Sequence, residues 1–99
     1  MAKAILAVFS NPTSAEQEDE YNSWYDDVHI KELLEIPGIV SAKRYKLAGP
    51  VPADHRYLAI YEVEGDLGVV MGSLGSAPSG VSPALDAAGV RLAFWEPLA

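Results

Sequence analysis

The order of elements along the chain is strand, helix, strand, strand, helix, strand. It predicts an α+β domain of the split βαβ, ferredoxin-like kind: βαββαβ, a four-stranded antiparallel sheet with both helices on one face. Three observations carry that expectation. Four runs rich in β-branched and aromatic residues are bounded by Gly and Pro. A long helical run between the first two ends at Ile36-Pro37-Gly38, and a shorter one, Leu67 to Leu74, separates the last two. Ninety-nine residues give room for one core, so a single domain over residues 1–99 is expected.

Lys3 to Ser10 is apolar in both registers, Ala4, Leu6 and Val8 on one face and Ile5, Ala7 and Phe9 on the other, as in a strand covered on both sides. Asn11-Pro12-Thr13-Ser14 reads as a turn in which Thr13 or Ser14 caps the next helix, with Gln17 completing a capping box. Glu16, Glu18, Asp19 and Glu20 occupy its first turns, where the helix dipole favours negative charge, and read as a solvated face. The helix continues to about Leu34 with a bend. At about 100° per residue, Tyr21, Tyr25 and Val28 share one face, with Trp24 on one flank and His29 on the other. Pro37 forbids continuation and Gly38 releases the chain into the strand Ile39 to Leu47.

After the Gly49-Pro50-Val51-Pro52 loop, the strand His55 to Glu64 places Tyr57, Ala59, Tyr61 and Val63 on one face and Leu58, Ile60 and Glu62 on the other. Asp66 is the expected cap of the second helix. The breaker-rich stretch up to Gly80 reads as a mobile cover over a pocket, Pro83 to Ala88 as a short helical turn, and Val90 to Glu96 as the last strand. Two helices cover one face of such a sheet. The other face is expected to be buried by a second copy of the chain, sheet on sheet, as a homodimer.

Composition narrows the function. Apolar residues make up 49% and charged residues 21%, as in globular proteins. Fourteen acidic against seven basic residues give a net charge of −7, which opposes binding to nucleic acid or anionic membranes. The absence of cysteine excludes disulfides and thiolate metal centres, and two histidines are few for a metal site, so no metal is expected. The apolar opening Met1 to Phe9 is too short to span a bilayer, and no small-residue cleavage site follows it. A first strand in a cytoplasmic protein is expected.

The stretch EYNSWYDDVHIKELLEIPG, Glu20 to Gly38, concentrates the candidate chemistry: an aromatic wall with a titratable imidazole at its edge. His29 can exchange protons near neutral pH without a cofactor, and Tyr25, one turn earlier, can work on the same ligand. Tyr21, Trp24, Tyr45 and Tyr61 are candidate substrate contacts. So many inward tyrosines suggest hydroxyls directed at an aromatic or polycyclic oxygenated guest. Arg44, which shares a strand face with Lys46, is a candidate for holding a carboxylate. His55 reads as an exposed strand-end residue and Asp54 as turn chemistry. No serine occupies a nucleophile elbow, and the Gly65–Gly80 stretch lacks phosphate-loop spacing.

The segment Trp24-Tyr25-Asp26-Asp27-Val28-His29-Ile30, then Leu33-Leu34 and Ile36-Pro37-Gly38-Ile39, resembles the EthD-like branch of the dimeric α+β barrel proteins. The closing Phe94-Trp95-Glu96-Pro97-Leu98 also resembles their last strand. The resemblance implies ferredoxin-like subunits whose paired sheets form a barrel, with a pocket between sheet and helices. It also implies that His29 matches the histidine of the helical motif; no second histidine stands there. The wider superfamily includes cofactor-free monooxygenases, dehydratases, cyclases and isomerases, and fold kinship does not choose among them. The leading expectation is a cofactor-independent enzyme, lyase- or dehydratase-like, an isomerase or a cyclase. It would act by general acid/base catalysis on a hydrophobic, oxygenated aromatic or polyketide-like small molecule. A non-catalytic binding or accessory protein and a cofactor-free monooxygenase are the alternatives.

Overall fold

Strand β1 (Ala4–Ser10) runs through the interior of a sheet whose order is β2-β3-β1-β4, with β2 (Ile39–Lys46), β3 (Tyr57–Val63) and β4 (Arg91–Trp95). All neighbouring pairs are antiparallel. The computed structural model describes residues 4–50, 53–74 and 81–98. Residues 51–52 of the expected loop at 48–54 and residues 75–80 of the expected cover at 65–80 lie outside the described residues; residues 67–74 of that cover are helical.

The register divides the side chains as the alternation predicts. Leu6 pairs with Tyr61 and Val8 with Ala59, so these residues point to the helical face together with Phe94 and Leu92 of β4. Ala42, Arg44 and Lys46 join them from β2. On the opposite face the rows run Tyr45–Leu58–Phe9–Arg91, Lys43–Ile60–Ala7–Ala93 and Ser41–Glu62–Ile5–Trp95. That face is less uniformly apolar than expected: Lys43, Ser41, Glu62 and Arg91 interrupt it, and the Ser41 hydroxyl donates to Glu62. None of the described helices covers it, and Phe9, Tyr45 and Trp95 remain exposed there.

The first helical region is one unbroken rod. A 3-10 turn (Ala15–Gln17) leads into α1 (Glu18–Trp24), a π-helical turn (Tyr25–His29) and α2 (Ile30–Leu34). Ser14 takes the extended cap conformation, yet its side chain makes no capping bond, so the anticipated capping box does not form. Glu18 also departs from the expected solvated face. It accepts a hydrogen bond from Tyr57 at 2.5 Å and pairs with Arg56 at 3.1 Å, tying the start of the rod to β3. At the other end Gly38 adopts φ = 101°, and a Cβ there would lie 2.8 Å from both the Glu64 carbonyl oxygen and a Val70 methyl. Only glycine fits this turn.

Helix α3 (Leu67–Leu74) is capped by the Asp66 carboxylate, which accepts from the Gly68 and Val69 amides, as the sequence suggested. It buries Val70. The following segment contains a 3-10 turn at Ala87–Gly89, slightly later than expected, and is stitched to the turn after β1. The Thr13 amide donates to Ala84, the Asp86 amide donates to Asn11, and Pro12 bridges Leu85. Between rod and sheet lies the core, in which Leu6, Tyr21, Tyr61 and Val63 are sealed from solvent. Burying an aliphatic side chain such as Leu6 or Val63 contributes about 1.5–3 kcal/mol.

Candidate functional site

The π-helical turn decides how the aromatic stretch is presented. In a regular α-helix, residues five apart are about 140° out of line. Here the Ile30 amide donates to the Tyr25 carbonyl, five residues back, and the widened turn brings such positions together. Trp24 and His29, expected on opposite flanks, therefore stack face to face, ring centroids 4.6 Å apart and planes 20° apart. The Tyr25 ring meets His29 edge-on at 5.0 Å and Trp24 at 5.4 Å.

His29 and Tyr25 line a cavity of about 230 Å³ between the rod and the sheet. Leu6, Val8 and Ser10 of β1 form its floor, Leu33 and Leu74 one side, and Val81, Leu85, Ala87, Val90 and Leu92 the rest. Ser10, Tyr25 and His29 are the residues with polar side chains in the described lining. Ser10 is committed elsewhere, its hydroxyl 2.6 Å from that of Tyr21. Nδ1 of His29 is buried and finds no hydrogen-bond partner among the described residues. Burial holds the imidazole below its ordinary pKa, and the charge of Glu32 only partly offsets this. Burial likewise pushes the Tyr25 phenol upward, with Tyr61, Arg44 and Ser10 pulling weakly the other way. At neutral pH the site holds a neutral imidazole and a protonated phenol.

The other candidates stand behind this pair or away from it. Tyr21 is sealed in the core with its hydroxyl on Ser10, and Trp24 backs the imidazole. Tyr61 is equally sealed. Its hydroxyl lies beside that of Tyr25 but makes no hydrogen bond of good geometry among the described residues, and burial raises its pKa far above the ordinary phenol value. Arg44 lies over the rings of Tyr25, Tyr57 and Tyr21 at 4.4, 5.3 and 5.4 Å. It donates to Asp26 and Asn22, each at 2.8 Å. Two of its donors are taken by Asp26 and Asn22 and its faces are flanked by rings, which turns much of it away from a ligand carboxylate. Tyr45 points to the opposite face of the sheet. Ser10 was missed; the only clue was a polar residue at the inward register of an apolar strand.

A larger cavity, about 510 Å³, opens at the β2–β3 hairpin and includes Tyr45 and His55. His55 is not the free strand-end residue expected: its Nε2 lies 2.7 Å from the Gly89 carbonyl and its ring packs on Phe9. Arg56 is paired with Glu18. These two groups are occupied in holding the hairpin. Among the described residues no group of three His, Asp or Glu side chains is placed to hold a metal ion, and no helix is long and apolar enough to cross a membrane.

Element order and register define a ferredoxin-like α+β fold, and solved structures share it. The chain superposes on HapK from Hahella chejuensis with a TM-score of 0.70, at 13% identity over 96% of this chain and 92% of that one. It matches an EthD family protein of Bacillus halodurans with a TM-score of 0.65, at 14% identity over 99% and 100%. It also matches MhuD of Mycobacterium tuberculosis, a heme degrader solved with two hemes in its active site, with a TM-score of 0.60 at 14% identity over 97% and 96%. Identities this low establish the shared fold alone. No family model matches the chain, and no curated protein matches it by sequence.

Proposed function

We propose that the chain is a cofactor-independent enzyme that moves protons on a hydrophobic, oxygenated small molecule, with His29 as base and Tyr25 as acid. The supporting observation is the part-buried imidazole of His29 in the lining of an apolar cavity, its Nδ1 sealed from solvent with no hydrogen-bond partner among the described residues. A buried imidazole that is neutral near pH 7 enters the reaction ready to accept a proton. In this reading His29 removes a proton from carbon beside a carbonyl, and the Tyr25 hydroxyl donates a hydrogen bond to the oxygen on which charge collects. The imidazolium so formed is stabilised by the charge of Glu32 and the face of Trp24. Returning that proton to another carbon completes an isomerisation. Delivering it to a departing hydroxyl releases water and completes an elimination, and attack of the enolate on a second carbonyl, which takes up the proton, gives cyclisation.

Heme chemistry, which MhuD performs, does not transfer to this cavity. Its volume lies below the roughly 300–1,000 Å³ usual for pockets holding drug-sized ligands, whereas a tetrapyrrole needs more room. Among the described residues no Lys or Arg lines it to meet propionate groups. The proposed assembly is a homodimer in which the uncovered sheet face packs against its copy.

The test is to incubate the protein with oxygenated aromatic and polyketide-like compounds and follow products by mass spectrometry, with and without oxygen. Product from wild type but not from a folded His29→Gln variant supports the reading. Product formed only under oxygen replaces proton transfer by oxygenation, and binding without product makes the chain an accessory protein.

A further inference from the structure

We infer that the occupant of the His29 cavity is an uncharged molecule of one ring, a ketone or a phenol, rather than a polycyclic or carboxylated one. This rests on the preceding reading of the site and narrows its substrate class. Size is the first argument. The cavity walls enclose about 230 Å³ and are open to solvent along Val81, Ala87 and Leu92. An apolar cavity of about 150 Å³ accommodates benzene, so these walls surround one ring with a short substituent and leave the outer rings of a three-ring molecule unburied.

Charge is the second argument. Among the described residues neither Lys, Arg, Asp nor Glu lines the cavity, so no charge among them offsets the desolvation of an ionised group held within it. The nearest candidate counter-ion, Arg44, is held by Asp26 and Asn22 and enclosed by three tyrosine rings, with 14% of its side chain exposed. A carboxylate entering the cavity meets apolar walls and two uncharged polar groups.

Polarity is the third. With Ser10 engaged by Tyr21, the polar groups among the described lining residues that remain for a guest are the Tyr25 hydroxyl and the His29 ring, both on the rod side. One donor and one acceptor close together suit a single carbonyl or hydroxyl. The remaining walls suit hydrocarbon.

The experiment is calorimetric titration of the full chain with three ketones: acetophenone, 4-acetylbenzoate and 9-acetylanthracene. The expected result is saturable binding of acetophenone, with the carboxylated and three-ring analogues at least about tenfold weaker. Acetophenone binding should also fall in Ala87→Phe and Leu92→Trp, which fill the cavity from its exposed rim. Equal or tighter binding of either analogue, or no saturable binding of acetophenone, overturns the inference, and this comparison needs no variant to fold. Turnover is measured separately. Acetophenone bound as expected, with no compound of any class turned over, removes the catalytic reading and keeps the ligand class. Turnover of a carboxylated or polycyclic compound that is lost in His29→Gln does the reverse.

Discussion

Trp24 and His29 stack at 4.6 Å because a π-helical turn lies between them, and this makes the indole a reporter on the imidazole. An imidazolium against the indole face quenches its emission, whereas a neutral ring does so far less. Fluorescence of a Trp95→Phe variant should fall as the pH drops, with a midpoint below the ordinary histidine value of about 6.5, and the fall should vanish in His29→Gln. A midpoint at or above that value would contradict the burial of the ring.

The same depressed pKa makes stability depend on pH. The folded state disfavours the imidazolium, so between the lowered folded value and about 6.5 the unfolded chain binds more protons. Stability is complete above that window and declines as the pH falls through it. Urea titrations at pH 7.5 and 5.5 should show a larger loss for wild type than for His29→Gln.

Once turnover is found, His29→Gln should lower kcat by about 10²- to 10⁴-fold, the usual contribution of a positioned acid or base. Tyr25→Phe should lower kcat with a smaller change in KM, since its hydrogen bond tightens as charge develops. Retained kcat in a folded His29→Gln protein removes this residue from the mechanism.

Arg44 serves the fold, by its contacts to Asp26, Asn22 and three rings. Arg44→Met should cost about 2 kcal/mol, allowing for the exposure of Asp26. Arg44→Lys should recover little of it, because an ammonium cannot reproduce the stacked fork. Chemical denaturation of the three proteins measures both.

If the uncovered sheet face, centred on Ala7 and Ile60, pairs with a second copy as proposed, light scattering should give twice the chain mass. A charge at its centre, Ile60→Glu, should unfold the chain rather than yield clean monomers. A stable wild-type monomer at micromolar concentration would sink the proposed assembly.

The sequence displayed the sheet well because strand alternation has a period of two, and every inward residue of β1 and β3 follows it. The helical stretch was legible only in part. Its residues were identified, but the constant angular step assumed for them cannot reveal an inserted π-turn, and that turn places His29 against Trp24. The roles of Arg44, Glu18 and His55 were hidden for another reason. Each is fixed by partners distant in sequence, namely Asn22 and Asp26, Tyr57 and Arg56, and Gly89. Ser10 was obscured because its partner, Tyr21, looked like a ligand contact.

The seam between residues 11–13 and 84–86 is made of main-chain hydrogen bonds, Thr13 to Ala84 and Asp86 to Asn11. Bonds of that kind are indifferent to most side chains. Leu85, Ala87, Val90 and Leu92, which shape one wall of the cavity, can therefore be exchanged with little disturbance to the anchor that holds them. Descendants of this chain can change the molecules they accept by drift in that short stretch, while the rod that carries His29 and Tyr25 stays under separate constraint.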